Sequence, residues 1–147
     1  MLTENEVVDA MCHWLKAGGF RIESCCKDNK PGDDIHAIDR HGRNLFIECK
    51  GAVSRSGNPL NQWRNVSGSF FNAVRDAVVI RPRDVHGIAV PDIPEAHELL
   101  DRLTETLNNL RIAVFWVSDA SQVSPYWPRN VDLAIEELER RIAGAQR

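Results

Sequence analysis

Asp34, Glu48 and Lys50 are the residues of this chain whose types and spacing could do chemistry. They fall within Pro31–Gly51, PGDDIHAIDRHGRNLFIECKG, where two short runs of period-two alternation flank the polar turn Arg40-His41-Gly42-Arg43. That pattern predicts a β-hairpin with Gly42 at the position that tolerates positive φ. With Asp34 opposite Glu48, one face carries Asp34, His36 and Ile38 beside Asn44, Phe46, Glu48 and Lys50. The other face carries Ile35, Ala37, Leu45, Ile47 and Cys49, an apolar set fit for a core. A one-residue slip would instead put Ile35 opposite Glu48. Two carboxylates and a lysine crowded at one end of a hairpin are suited to holding a divalent cation beside an activated water. Asp33 competes with Asp34, because alternation lets only one of them face Glu48; His36, two residues from Asp34, is an accessory candidate for phosphate contact or an ordinary surface histidine.

The stretch resembles the core motif of the PD-(D/E)XK nuclease superfamily, the restriction-endonuclease-like fold. Asp34 matches the acid at the start of the second strand, and Glu48-Cys49-Lys50 the acid-x-lysine triplet of the third. Gly32-Asp33-Asp34-Ile35 is similar to the G-x-D-I entry of the branch holding Mrr-like restriction enzymes and archaeal Holliday-junction resolvases. The order helix, strand, hairpin, helix extends the resemblance over about the first two-thirds of the chain.

The resemblance implies a metal-dependent endonuclease acting on phosphodiester bonds, most often in DNA. Such hydrolysis needs neutralised charge, a positioned water and a stabilised leaving oxygen, which Mg²⁺ supplies, with Mn²⁺ as a substitute. Asp34 and Glu48 would be side-chain ligands, and the backbone carbonyl of Cys49 a further one. Lys50, on the same strand face as Glu48, would orient the water, stabilise charge on the phosphate, or act as a base if partly deprotonated. Family members carry an acid on their first helix that approaches the metal; Glu6 is the match and Glu4 the runner-up, although Thr3 and Glu6 also form a capping-box pattern. Gln62 resembles a glutamine that follows the triplet in Mrr-like enzymes, and Trp63 is either core or a base-stacking residue. Two other readings stand beside this one: a non-cleaving member of the fold that binds nucleic acid or a protein partner, and a salt-bridge cluster with no activity.

Composition narrows the remaining classes. The chain has 147 residues, 43% of them apolar, and suits a single nuclease-like domain over 1–147. Its net charge of −3 argues against a basic coat for non-specific nucleic-acid binding. The start, MLTENEVVDAMCHWLKAGG, has no basic segment followed by an apolar block, and no stretch is long enough to span a bilayer. The expectation is a cytoplasmic protein with reduced thiols, since Cys25 and Cys26 are adjacent and Cys12 and Cys49 fall in predicted regular elements; with no C-x-x-C pair, a structural zinc site is not expected. Walker, dinucleotide and G-x-S-x-G patterns are missing from the sequence. Cutting both strands of a duplex with one small domain calls for two copies, so a homodimer is expected, built on Tyr126-Trp127 or the last helix.

These residues need a frame of α/β class, with a central mixed β-sheet flanked by helices on both faces and a restriction-endonuclease-like core. Val7, Val8, Met11, Cys12 and Leu15 recur at helical spacing up to Gly18-Gly19, and Phe20–Cys25 reads as a first strand. A Gly-, Ser- and Asn-rich loop runs to about Pro59. Leu60–Ile80 is expected to be mostly helical, with Gly68 a possible break and Phe70, Ala73, Val74 and Ala77 as its buried stripe. Val85–Val90 and Arg111–Val117 read as strands joined by a helix over Ile93–Leu110, which predicts a parallel pair with a right-handed crossover. Pro125–Pro128 reads as an aromatic turn and Val131–Ile142 as a closing helix, with Asn130 as its cap.

Overall fold

The first helix, α1 (Glu4–Ala17), starts where the sequence asks it to. The Thr3 hydroxyl accepts from the Glu6 N–H, and the Glu6 carboxylate accepts from the Thr3 N–H at 2.7 Å, closing a capping box. Its apolar stripe of Val7, Val8, Met11, Trp14 and Leu15 is buried. The computed structural model describes residues 1–27, 33–53, 62–119 and 121–129, the side chains of 62–66 and 69 excepted. The expected closing helix, its Asn130 cap, the loop before Pro59 and the G-x-D-I glycine lie outside those residues.

Among the described residues the strands are β1 (Arg21–Cys25), β2 (Ile35–Ile38), β3 (Asn44–Cys49), β4 (Val85–Pro91), β5 (Ile112–Asp119) and β6 (Gln122–Tyr126). They form one mixed sheet in sequence order: β1, β2 and β3 are antiparallel, β3–β4 and β4–β5 are parallel, and β6 returns antiparallel on β5. The hairpin pairs Ile35 with Ile47 and Ala37 with Leu45, the register that the alternation of Asp34 and Glu48 requires. Gly42 takes φ +76 in its turn, and Asp39 Oδ1 accepts from the backbones of His41 and Arg43.

Alternation along the central strands divides the interior into two layers. Leu45, Ile47, Cys49, Ala89 and Phe115 point toward α1. Ile88, Val90, Ile112 and Val114 point the other way, onto α2 (Gln62–Arg75), α3 (Pro94–Leu100) and α4 (Thr104–Asn109). Helices therefore flank both faces, and Phe70, Ala73 and Val74 of α2 form the expected inner stripe with Ala77 just beyond it. Gly87 lies where strand and core meet, since a methyl group there would come within 2.6 Å of the Phe115 ring.

Three expectations need correction. Gly68 does not interrupt α2, which runs on to Arg75 and then widens into a π-helical turn over Asp76–Ile80, closed by the Arg81 N–H on the Asp76 carbonyl at 2.7 Å. The helix expected over Ile93–Leu110 is broken by a 3₁₀ turn at Asp101–Leu103, so two shorter helices share its leucine stripe. Pro125 belongs to β6 and not to a turn, which the edge position of that strand permits because a proline lacks the ladder donor. Trp127 turns inward against Trp14 and Phe115, with ring centroids 6.5 and 5.1 Å away.

Candidate active site

The end of β3 brings the acid-x-lysine triplet to the edge of the second layer. Glu48 is half-buried on that side, while Cys49 between it and Lys50 is fully buried in the first layer. Lys50 follows the last strand residue, its N–H bonded to the Ala89 carbonyl at 2.9 Å. Just before β2, Asp34 accepts from the Cys49 N–H at 2.7 Å through Oδ2. The two halves of the motif are therefore tied by a hydrogen bond between a side chain and the neighbouring strand's backbone.

Asp33 and Asp34 do not compete as alternation predicted, because both precede the first residue of β2 and escape its pleat. Asp34 turns to the Cys49 backbone, and Asp33 joins Glu48 and Asp76 in a group in which one carboxylate oxygen from each lies within 4.8 Å of the others. Asp76, only 4% exposed, opens the π-helical turn. The sequence signal for it was weak: an acid in an apolar helical run, on a stripe whose phase a π turn shifts. Carboxylates of this kind are the hard oxygen donors that Mg²⁺ prefers, so the donor set fits that ion.

Arg81 lies across the trio. Its Nη1 is 3.0 Å from Asp33 Oδ2 and 3.8 Å from Asp76 Oδ2, and its guanidinium sits 3.8 Å above the Phe46 ring. Phe46 in turn stacks on His36 and His86. The ring of His36 bonds to Asn44 Oδ1 at 2.9 Å, which commits it to the sheet surface beside the acids. His86 is buried and donates to the Arg81 carbonyl at 2.9 Å, fixing the end of the π turn.

The acid that α1 delivers to the triplet is Glu4, whose Oε2 lies 3.0 Å from Lys50 Nζ. Glu6, the residue expected there, is occupied with Thr3 in the capping box. Gly51 makes the approach of α1 possible, since a methyl group on it would run into the backbone of Thr3 and Glu4. The side chains of Gln62 and Trp63 lie outside the described residues.

The electrostatics follow from this crowding. Burial, and then the neighbouring Asp34 charge, push the Glu48 carboxyl up to about 7. Burial also raises Asp34, against the pull of the Cys49 N–H and Lys50. Burial works against the Lys50 ammonium, but Glu4, Asp34 and Glu48 together outweigh it and hold its pKa above the ordinary value. Without a cation at the acids, Lys50 is thus held as a positive charge.

No protein-family model matches the chain, and no curated protein is similar to it. Solved structures do resemble it. An fdxN element excision controlling factor protein from Anabaena variabilis is 20% identical, with TM-score 0.50 over 86% of this chain and 98% of its own. An XisH family protein from Nostoc punctiforme is 18% identical at TM-score 0.49, with the same coverage. A protein of unknown function from Silicibacter pomeroyi is 14% identical at TM-score 0.48, covering 99% of this chain and 87% of its own. At 20% identity the first of these likenesses concerns the arrangement of the chain alone.

Proposed function

We propose that this chain is a metal-dependent endonuclease of restriction-endonuclease-like fold that hydrolyses phosphodiester bonds in DNA. The observation that carries the reading is the convergence of Asp33, Glu48 and Asp76 at the end of β3, two residues before Lys50. Asp33, Glu48 and Asp76 would hold Mg²⁺, with Asp34 and the Cys49 carbonyl as neighbouring donors. The bound cation would supply charge neutralisation and a more acidic water. Around it, Lys50 steadies negative charge on the scissile phosphate, and Glu4 keeps that ammonium in place. Asp34 holds the Cys49 backbone, and so fixes the strand from which both Glu48 and Lys50 project.

No helix among the described residues is long and apolar enough to cross a membrane. Two copies related by a twofold axis would present one site to each strand of a duplex. Trp127 is committed to its own core, so the exposed Tyr126 and the closing segment are the parts of the expected interface left to serve it.

The test is cleavage with and without Mg²⁺ of supercoiled DNA, Holliday junctions, single strands and RNA, by wild type and Glu48→Gln. Magnesium-dependent cutting of DNA by wild type alone is the expected result. Binding of these substrates without cleavage would favour the non-cleaving member of the fold; neither binding nor cleavage would leave the acids and their cations as a structural ion-pair cluster.

A further inference from the structure

Away from the acidic site, the Cys12 thiol of α1 lies 3.2 Å from the Cys25 thiol at the end of β1. Cys12 faces the core and is 9% exposed, whereas Cys25 is open to solvent. Lys27, two residues beyond Cys25, is ion-paired with Asp9 of α1, so the two elements are also tied beside the thiols. The contact bridges two elements and joins a buried sulfur to an exposed one.

We infer that Cys12 and Cys25 are an oxidisable dithiol that closes into a disulfide between α1 and β1 when a two-electron oxidant of the hydroperoxide class reaches Cys25. The chemistry balances with hydrogen peroxide as oxidant. The Cys25 thiol loses its proton, the thiolate attacks one peroxide oxygen and expels hydroxide, and the released proton converts that hydroxide to water, leaving a sulfenic acid. The Cys12 sulfur then attacks the Cys25 sulfur; the departing hydroxide takes the Cys12 proton, and a second water is released. Both cysteine sulfurs are oxidised and the peroxide is reduced. The order of attack follows from access, since the oxidant meets Cys25 at the surface and Cys12 only through it. Burial, and then the neighbouring Cys25, push the Cys12 thiol up to about 12, in keeping with a resolving and not an attacking role. The sulfurs need to approach by about 1 Å to bond.

The bond would clamp two elements that serve the acidic site. α1 carries Glu4 to Lys50, and Cys26, next to Cys25, donates its N–H to the Asp34 carbonyl at 2.7 Å. Cys26 is the rival partner, because it neighbours Cys25 in sequence.

The experiment treats the full chain with hydrogen peroxide, then measures intact mass, free thiols and linked peptides. Expected are a loss of two hydrogen atoms in mass, a fall from four free thiols to two, a Cys12–Cys25 linked peptide, and full reversal by dithiothreitol. Cys26→Ser should behave like the wild type. Cys12→Ala should stop at a Cys25 sulfenic acid that dimedone traps. Should Cys12→Ala fail to fold, Cys25→Ser at the exposed position should abolish the mass loss. A link through Cys26, or oxidation of Cys25 to the sulfinic acid with Cys12 still free, would overturn the inference. So would unchanged thiols under excess peroxide.

Discussion

Lys50 Nζ lies 3.0 Å from Glu4 Oε2, joining the exit of β3 to the first turn of α1 across 46 residues of sequence. The pairing explains why Gly51 stands next to Lys50: without a side chain there, the start of α1 comes close enough for its acid to reach the lysine. It also separates two glutamates that the sequence left in competition, giving Glu6 to the helix cap and Glu4 to the site.

The first prediction follows from that separation. Glu4→Gln removes the largest anionic partner of a half-buried ammonium, so the Lys50 pKa should fall when followed by NMR of its side chain. Glu6→Ala should leave that titration in place and instead lower stability by about 0.5–1 kcal/mol through loss of the capping box. The assignment fails if the Lys50 titration moves with Glu6 and not with Glu4.

A second prediction concerns Asp76 and Arg81. Asp76→Asn should weaken Mn²⁺ binding at least about tenfold, roughly 1.4 kcal/mol, as Asp33→Asn and Glu48→Gln should. Arg81 holds Asp33 and partly neutralises Asp76, so it must be displaced or outcompeted by an arriving cation. Arg81→Met keeps a stem to cover Phe46 and removes that competition; its Mn²⁺ affinity should rise by several-fold, toward tenfold. Calorimetric titration checks both. Unchanged affinity in Asp76→Asn would return the site to the Asp34 and Glu48 pair read from the motif, and weaker binding by Arg81→Met would make the arginine a support for the acids.

Legibility in the sequence tracked how local each determinant was. The hairpin register follows from period-two alternation and one glycine, both local, and the structure keeps it pair for pair. The apolar stripes of α1 and α2 also follow from spacing alone. Asp76 was hidden because a π turn resets the helical phase by one residue, and periodicity at 3.6 cannot show it. Asp33 was set against Asp34 by extending the strand's alternation into a segment with no pleat to obey, and the motif match favoured Asp34. The choice of Glu4 over Glu6 depended on how closely α1 approaches β3, a tertiary distance set by Gly51. Pro125 misled because a proline on an edge strand and a proline in a turn share the same local signal.

The third prediction is a pH dependence of stability in the metal-free protein. Burial and Asp34 raise the folded Glu48 pKa to about 7, from 4.5 as the ordinary value. Between those values the folded state binds the extra proton, so stability should fall as pH rises through that window. After allowance for solvent screening the loss is about 1–2 kcal/mol. Glu6, Asp39 and Asp119 are shifted downward instead, and their contributions vanish at more acidic pH. Urea denaturation at successive pH values should therefore show a slope between about 4.5 and 7 that Glu48→Gln flattens. Parallel curves for the two proteins would contradict the buried, acid-crowded environment assigned to Glu48.

The last prediction gives Lys50 a part in chemistry and none in metal capture. In the metal-free protein its pKa is raised and it is paired with Glu4, so it is expected to act as a fixed positive charge. Replacing it by Ala should leave α1 capped and the sheet intact, because Cys49 and Ile47 carry the packing at this end of β3. Cation binding should survive or strengthen, since a repelling charge is lost from beside the acids. DNA cleavage under saturating Mg²⁺ should nonetheless fall by about 10²-fold or more, the usual effect of removing a positioned charge from a phosphoryl-transfer site. Lys50→Arg offers the control: it retains charge but not the compact ammonium, and should recover only part of the loss. Circular dichroism and Mn²⁺ titration exclude misfolding and lost metal as causes. If Lys50→Ala folds, binds the ion and cuts at the wild-type rate, the lysine is a salt-bridge partner of Glu4 and nothing more.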